Sequence, residues 1–171
     1  MSTGWMLPDE VMNYIFTNVS KGSTILEFGS GQGSVNLSMQ YNLISVEHNE
    51  EWIGLSSGEY IHAEIVENPI STRFGQKGWY DSEKLLNLPS FVDVIIIDGP
   101  PGDVGRIGIL DHLELLPSFS ICIVDDTDRE EESLLLEKLM PVLDFKDQIE
   151  IMSSSRRGNG KLRKSTVLVR G

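Results

Sequence analysis

Glu27, Gly29, Gly31 and Gly33 fall in one short run, with the apolar Ile25, Leu26 and Phe28 packed around the carboxylate. Such a run reads as a buried strand followed by a tight turn without side chains, which lets backbone approach a ligand closely before a helix starts. A second apolar run, Leu43, Ile44, Ser45 and Val46, ends in Glu47. That is about where a nucleotide-binding α/β fold places the acid that accepts ribose hydroxyls. Asp98 closes the apolar run 92–97, and Asp125 with Asp126 closes 120–124. Carboxylates at such ends can accept hydroxyls, take a proton from an acceptor, or hold a cation.

The segments between these residues alternate. Apolar spacing predicts a helix over 8–19, with Val11, Met12, Ile15, Phe16 and Val19 on one face, opened by Pro8, Asp9 and Glu10. Strands are expected at 24–28, 43–47, 60–66, 92–97 and 120–124, with helices at 34 to about 40, 50–57, 104–116 and 128–140. Residues 67–80 read as an irregular loop. Segments 144–151 and 163–169 read as two strands with no helix between them, hence a hairpin whose last strand runs antiparallel. Alternating strands and helices imply an α/β, doubly wound, mostly parallel sheet with right-handed crossovers, whose functional groups gather at the carboxyl ends of the strands. Residues 1–171 are expected to form a single domain, with 1–20 an N-terminal helical segment.

Composition narrows the partners. The net charge of −12 argues against long nucleic acid, which is bound through Lys and Arg. Yet six of the fourteen basic residues (Arg156, Arg157, Lys161, Arg163, Lys164, Arg170) follow position 155, and no acid follows Glu150. One cysteine, Cys122, leaves no disulfide framework and no cysteine-based metal site. No apolar stretch is long enough for a membrane span, and the N-terminus lacks the pattern of a signal peptide, so the expected setting is cytoplasmic.

The glycine turn has several readings. An NTPase phosphate loop needs Gly-Lys-Ser/Thr, and Gly160-Lys161 is followed by Leu162. A dinucleotide fold for NAD or FAD wants a third glycine where Ser34 stands, and an NAD(P)-binding oxidoreductase is one alternative. The glycines could also serve only to make a tight turn. A further reading comes from resemblance. The sequence resembles the class I S-adenosylmethionine (SAM)-dependent methyltransferases, whose first motif is a strand ending Glu/Asp-x-Gly-x-Gly-x-Gly; Glu27, Gly29, Gly31 and Gly33 match every position. It also resembles small bacterial members with a Gly-Trp-Tyr-Asp stretch, here at 78–81, and an Asp-Gly-Pro-Pro-Gly turn, here at 98–102. The resemblance implies a seven-stranded Rossmann-like sheet of order 3-2-1-4-5-7-6 and SAM as cofactor. Glu27 would then offset the cationic methionine end. The backbone of Gly29, Ser30, Gly31 and Gly33 would pass beneath the ligand, and Glu47 would take both ribose hydroxyls. His48 would flank the adenine, with Ala63, Trp79 and Tyr80 supplying its other wall.

The acceptor is less defined. Amine methyltransferases often carry Asn/Asp-Pro-Pro-Tyr/Phe after the fourth strand; here Asp98-Gly99-Pro100-Pro101 matches only in part, which favours an oxygen acceptor. Asp98, Asp125 and Asp126 resemble the carboxylate set of metal-dependent O-methyltransferases of the catechol type, which implies Mg²⁺ or Ca²⁺. Against that, Asp126 stands where Asn is usual, and Asp98 could instead act as the general base while Asp125 and Asp126 cap the next helix. Arg106 and Arg129 could each bind an anionic acceptor, as could the basic segment 156–164. The expected partner is a small-molecule acceptor, an anionic sugar among the candidates. A homodimer remains open, and a non-catalytic partner-binding module of the same fold is the other alternative.

Overall fold

Strands covered on both faces read as unbroken apolar runs, and the most apolar segments of this chain form the middle of its sheet. The structure is a computed structural model and describes residues 6–154 and 160–170. β1 (Thr24–Phe28), β2 (Asn42–Glu47), β6 (Phe91–Ile97) and β7 (Ser118–Val124) are central. They are flanked by β3 (Glu59–His62) on one side and by β9 (Arg163–Val169) and β8 (Asp147–Ser153) on the other. The order is β3-β2-β1-β6-β7-β9-β8. All pairs from β3 to β7 are parallel, whereas β9 runs antiparallel to both β7 and β8. This is the Rossmann-like methyltransferase topology expected from the resemblance.

Alternate residues of the strands serve two apolar layers. Ile25, Leu43, Val94, Ile96 and Ile123 pack under α1 (Asp9–Asn18), which buries Val11, Met12 and Ile15 there. Leu26, Phe28, Val46, Ile95 and Ile97 face the opposite layer with Trp79 and Tyr80. Glu27, Glu47, Asp98 and Asp125 share the parity of the first set, so the pleat sends all of them toward the α1 face. α2 (Gln32–Ser38) follows β1 and α4 (Glu130–Leu139) follows β7.

Several segments depart from the sequence expectations. The helix expected at 50–57 is only a 3₁₀ turn at Glu50–Trp52, because Gly54, Ser56, Ser57 and Gly58 are poor helix formers. The helix expected at 104–116 is 3₁₀ over Ile107–Leu115 and breaks at His112. Gly108 is pressed there against Asn68, Ser71 and Trp79, so packing overrides the apolar spacing. The strand expected at 60–66 divides into β3 and the two-residue β4 (Ile65–Val66), which pairs with β5 (Trp79–Tyr80). The segment 67–80 is therefore ordered, with α3 (Pro69–Arg73) capped by the Asn68 side chain. No helix among the described residues is long and apolar enough to cross a membrane.

Candidate functional site

Strand register brings the polar residues to one edge. Phe28 is level with Val46 and Ile97, and Ile97 with Val124, so the next residues, Gly29, Glu47, Asp98 and Asp125, form a row across four strands. Hydrogen bonds extend the ladder through this row: Gly29 N to Val46 O, Asp98 N to Phe28 O, and Asp125 N to Ile97 O.

Gly29 is the glycine this turn requires. Its φ is +87°, and a Cβ there would lie 2.8 Å from the Gly99 Cα and 2.9 Å from the Asp98 carbonyl oxygen. A Cβ on Gly99 would meet the Gly29 Cα at 2.8 Å and the Tyr80 hydroxyl at 2.6 Å. The turns after β1 and β6 therefore touch backbone to backbone. Gly31 is extended, at φ −177°, and Gly33 lies under Leu7 and Met12 at ordinary contact distance; neither conformation demands glycine.

Glu27 and Glu47 occupy different environments. Glu27 is buried; Ser45 Oγ donates to its Oε1 at 2.6 Å, and Ser34 Oγ donates to the same oxygen. Gly31 N–H in turn donates to Ser34 Oγ, so the serine in the position of a dinucleotide glycine ties the turn to the acid. Burial pushes the Glu27 carboxyl up to about 7, the two serine hydrogen bonds only partly opposing it, with the Glu47 charge adding to the rise. Glu47 accepts from Ser30 N (3.0 Å) and Ser30 Oγ (2.6 Å) on one oxygen and from Asn49 N (2.9 Å) on the other. His48 Nδ1 lies 3.2 Å from that second oxygen.

Two cavities open at this edge. The larger, about 110 Å³, is lined by Glu47, His48, Trp52, Tyr80 and Gly99 together with Ser30 and Asn49. The smaller, about 10 Å³, is lined by Glu27, Gly31, Gly33 and Ser34 and closed by Leu7. Gly29 and Asp98 line both. Trp52 and Asn49 were not evident from the sequence: Trp52 sat in a segment that read as a regular helix, and its place after Glu47 was the one available signal. Ala63 and Trp79, expected as adenine walls, are in the core instead. Ala63 is fully buried, its amide bonded to the Glu47 carbonyl. Trp79 packs against Phe28 (5.2 Å) and Tyr80 (4.9 Å). Tyr80 does reach the cavity, and its buried hydroxyl has no hydrogen-bond partner among the described residues. Burial and the Glu47, Asp98 and Glu27 charges hold that hydroxyl protonated, against the pull of Arg106.

Asp98, Asp125 and Asp126 come together, with one oxygen from each within 4.8 Å of the others. They meet arginines. Arg163 Nη2 lies 2.9 Å from Asp125 Oδ2 and 3.4 Å from Asp126 Oδ1; Arg106 and Arg129 reach Asp126 Oδ2 at 3.4 and 3.3 Å. The other Asp125 oxygen accepts from Ser165 Oγ at 2.6 Å. Asp125 and Asp126 thus each have an arginine partner already, so the set does not fit a Mg²⁺ or Ca²⁺ ion. Nor do Asp125 and Asp126 cap α4, whose N-terminus has no side-chain cap. Arg106 is buried and not presented to an acceptor: it donates to the carbonyls of Pro100 (2.9 Å), Asp98 (3.1 Å) and Asp125 (3.3 Å). Burial and the neighbouring Asp125 carboxylate push Asp98 well above the usual carboxylate range, with Arg106 partly opposing. Residues 156 and 157 of the basic segment lie outside the described residues.

No protein-family model matches the chain, and no curated protein does. Solved structures do. An O-methyltransferase from Bacillus cereus in complex with S-adenosylhomocysteine (SAH) superposes with a TM-score of 0.63 at 11% identity, over 99% of this chain and 84% of that one. Magnesium protoporphyrin IX methyltransferase from Synechocystis with bound SAM gives 0.60 at 14% identity, over 95% and 77%. The O-methyltransferase TomG from Streptomyces achromogenes, with SAM, gives 0.55 at 13% identity, over 95% and 80%. At these identities the likeness is one of architecture, and this chain shares the class I methyltransferase fold.

Proposed function

We propose that this protein is a SAM-dependent methyltransferase that methylates an oxygen of a small or saccharide-like acceptor. The observation that carries the reading is a pair of cavities, one lined by Glu27 and the other by Glu47, that share Gly29 and Asp98 in their walls. SAM has a cationic methionine end, a ribose diol and no phosphate, so acids suit both ends where a phosphate site would need donors. When bound, it supplies an electrophilic methyl group on a sulfonium. Glu27 has no basic side chain offsetting its charge among the described residues and would face the ammonium. Glu47, held rigid by Ser30 and Asn49, would accept the ribose hydroxyls. Trp52 takes the role of aromatic wall that Trp79 does not fill.

Asp98, which lines both cavities, would receive the proton that the acceptor oxygen loses on taking the methyl group. Its raised affinity for protons makes it a stronger base once ionised, and an arriving sulfonium favours that ionisation. Arg129, part-exposed and beside Gly102, suits an anionic acceptor such as a uronic acid or sugar phosphate better than the buried Arg106.

Calorimetry with SAH and, separately, NAD tests the cofactor. Glu47→Ala should weaken SAH binding at least about tenfold, equivalent to ~1.4 kcal/mol; unchanged affinity removes Glu47 from the site. Asp98→Asn should bind SAH normally yet fail to turn over. A second reading, a non-catalytic module of this fold, is favoured by one observation: the larger cavity, at about 110 Å³, is below the ~300–1,000 Å³ typical of ligand sites. A wild type that binds neither SAM nor SAH would favour the second reading.

A further inference from the structure

We propose that Arg106, Arg129 and Arg163 occupy the place a divalent cation would take among Asp98, Asp125 and Asp126, so that this site works without metal and Arg163 is the residue that closes it to cations. The carboxylates alone have the spacing for a hard cation, which takes oxygens at about 2.0–2.6 Å; their oxygens lie within 4.8 Å of one another. The guanidinium groups change that. Arg163 Nη2 bridges Asp125 Oδ2 and Asp126 Oδ1, and Arg106 Nη2 spans from Asp126 Oδ2 (3.4 Å) to Asp98 Oδ1 (3.8 Å). Each planar fork places positive charge between two carboxylates, as a bridging ion would.

Two features make the replacement permanent. Arginine does not lose its proton in proteins, so the clamp cannot neutralise itself to admit an ion. Arg106 is also fixed by the carbonyls at 98, 100 and 125, and therefore cannot swing aside without breaking the turns after β6 and β7. Asp126 completes the arrangement from a left-handed backbone conformation (φ 58°), the one such non-glycine residue among those described. With three guanidinium groups already offsetting the charge of the three carboxylates, the cluster lacks the net negative charge that draws a divalent cation. Asp125 and Asp126 are thus committed to arginine, and Asp98, whose nearest guanidinium contact is the longest of the set, is the carboxylate left for chemistry. Arg163 acts as a positioning residue: it reaches the cluster from β9 and ties the last strand to the site.

The catalytic meaning rests on the methyltransferase reading; cation exclusion does not, because it can be measured on the protein alone. Mn²⁺ binding is followed by electron paramagnetic resonance for wild type, Arg163→Met, Arg129→Met and Asp126→Asn. Wild type should bind no Mn²⁺ at this cluster up to about 1 mM, while Arg163→Met should gain a site at least about tenfold tighter that a further Asp126→Asn change removes. If Arg163→Met does not fold, the more exposed Arg129→Met carries the same test. A wild-type site lost in Asp126→Asn overturns the proposal, as does a folded arginine variant that gains no Mn²⁺. SAH binding by the same samples, with and without EDTA, reports separately on the cofactor reading.

Discussion

Glu27 is the residue whose protonation should be visible in solution. Its carboxyl sits near 7 in the folded chain because it is buried without a cation, against about 4.3 for an unperturbed glutamate. A cationic ligand end favours the ionised form, so SAM affinity should rise as pH increases from about 6 to about 8 and then level, and calorimetry in two buffers should detect proton release. Glu27→Gln should flatten that profile and weaken binding. Stability has the opposite sign. The folded state binds the proton more tightly than the unfolded state, so stability falls as pH rises between the two pKa values, by up to ~3 kcal/mol. Glu27→Gln should therefore gain melting temperature over wild type as pH is raised, and a constant difference would contradict the burial argument. Tyr80 is a related case. Its hydroxyl is buried and unpartnered, and such a group carries a desolvation penalty of about 1–3 kcal/mol. Tyr80→Phe should fold with equal or greater stability in a denaturant titration; a clear loss would mean the hydroxyl has a partner.

Between elements, Arg106 works as a strut. It follows the turn after β6 and joins three backbone carbonyls and the Asp126 carboxylate, binding the ends of β6 and β7 together. Replacing it by Met would leave those carbonyls without their donor and remove one of three guanidinium partners of Asp126, a change of about 3–5 kcal/mol by analogy with other broken buried pairs. Urea unfolding should register that as a lower midpoint with little change in slope. Arg106, expected as a candidate to bind an anionic acceptor, is instead buried, because sequence reports that an arginine follows a strand-end turn, not whether its side chain faces inward or outward. The glycine turn divides similarly. Its existence is legible in the Gly-x-Gly-x-Gly spacing, but the need for Gly29 alone comes from the backbone of Gly99, which arrives from another strand.

For the molecule as a whole, the net charge of −12 becomes a kinetic statement. An acidic protein attracts a cationic ligand, and salt screens that attraction within a Debye length of about 10 Å at 0.1 M. SAM carries one more positive charge than SAH. Stopped-flow association of SAM should therefore slow as salt rises, while that of SAH should change much less. Equal salt dependence would mean that the sulfonium is not what the field attracts.

The sequence by itself determined the mostly parallel sheet and the acids along its edge, while the strand order was what the resemblance implied. Continuous apolar runs can bury both faces only in a parallel sheet, and residues that end such runs must emerge at one edge. Glu27, Gly29, Glu47, Asp98, Asp125 and Asp126 were legible for that reason. The tertiary structure alone decided which of them remain available. Asp125 and Asp126 are taken by arginines from three separate segments, Trp79 turns into the core, and Trp52 comes to the cavity through a 3₁₀ turn. Those outcomes depend on contacts between residues far apart in the chain, where local spacing carries no information about which partner a side chain will meet.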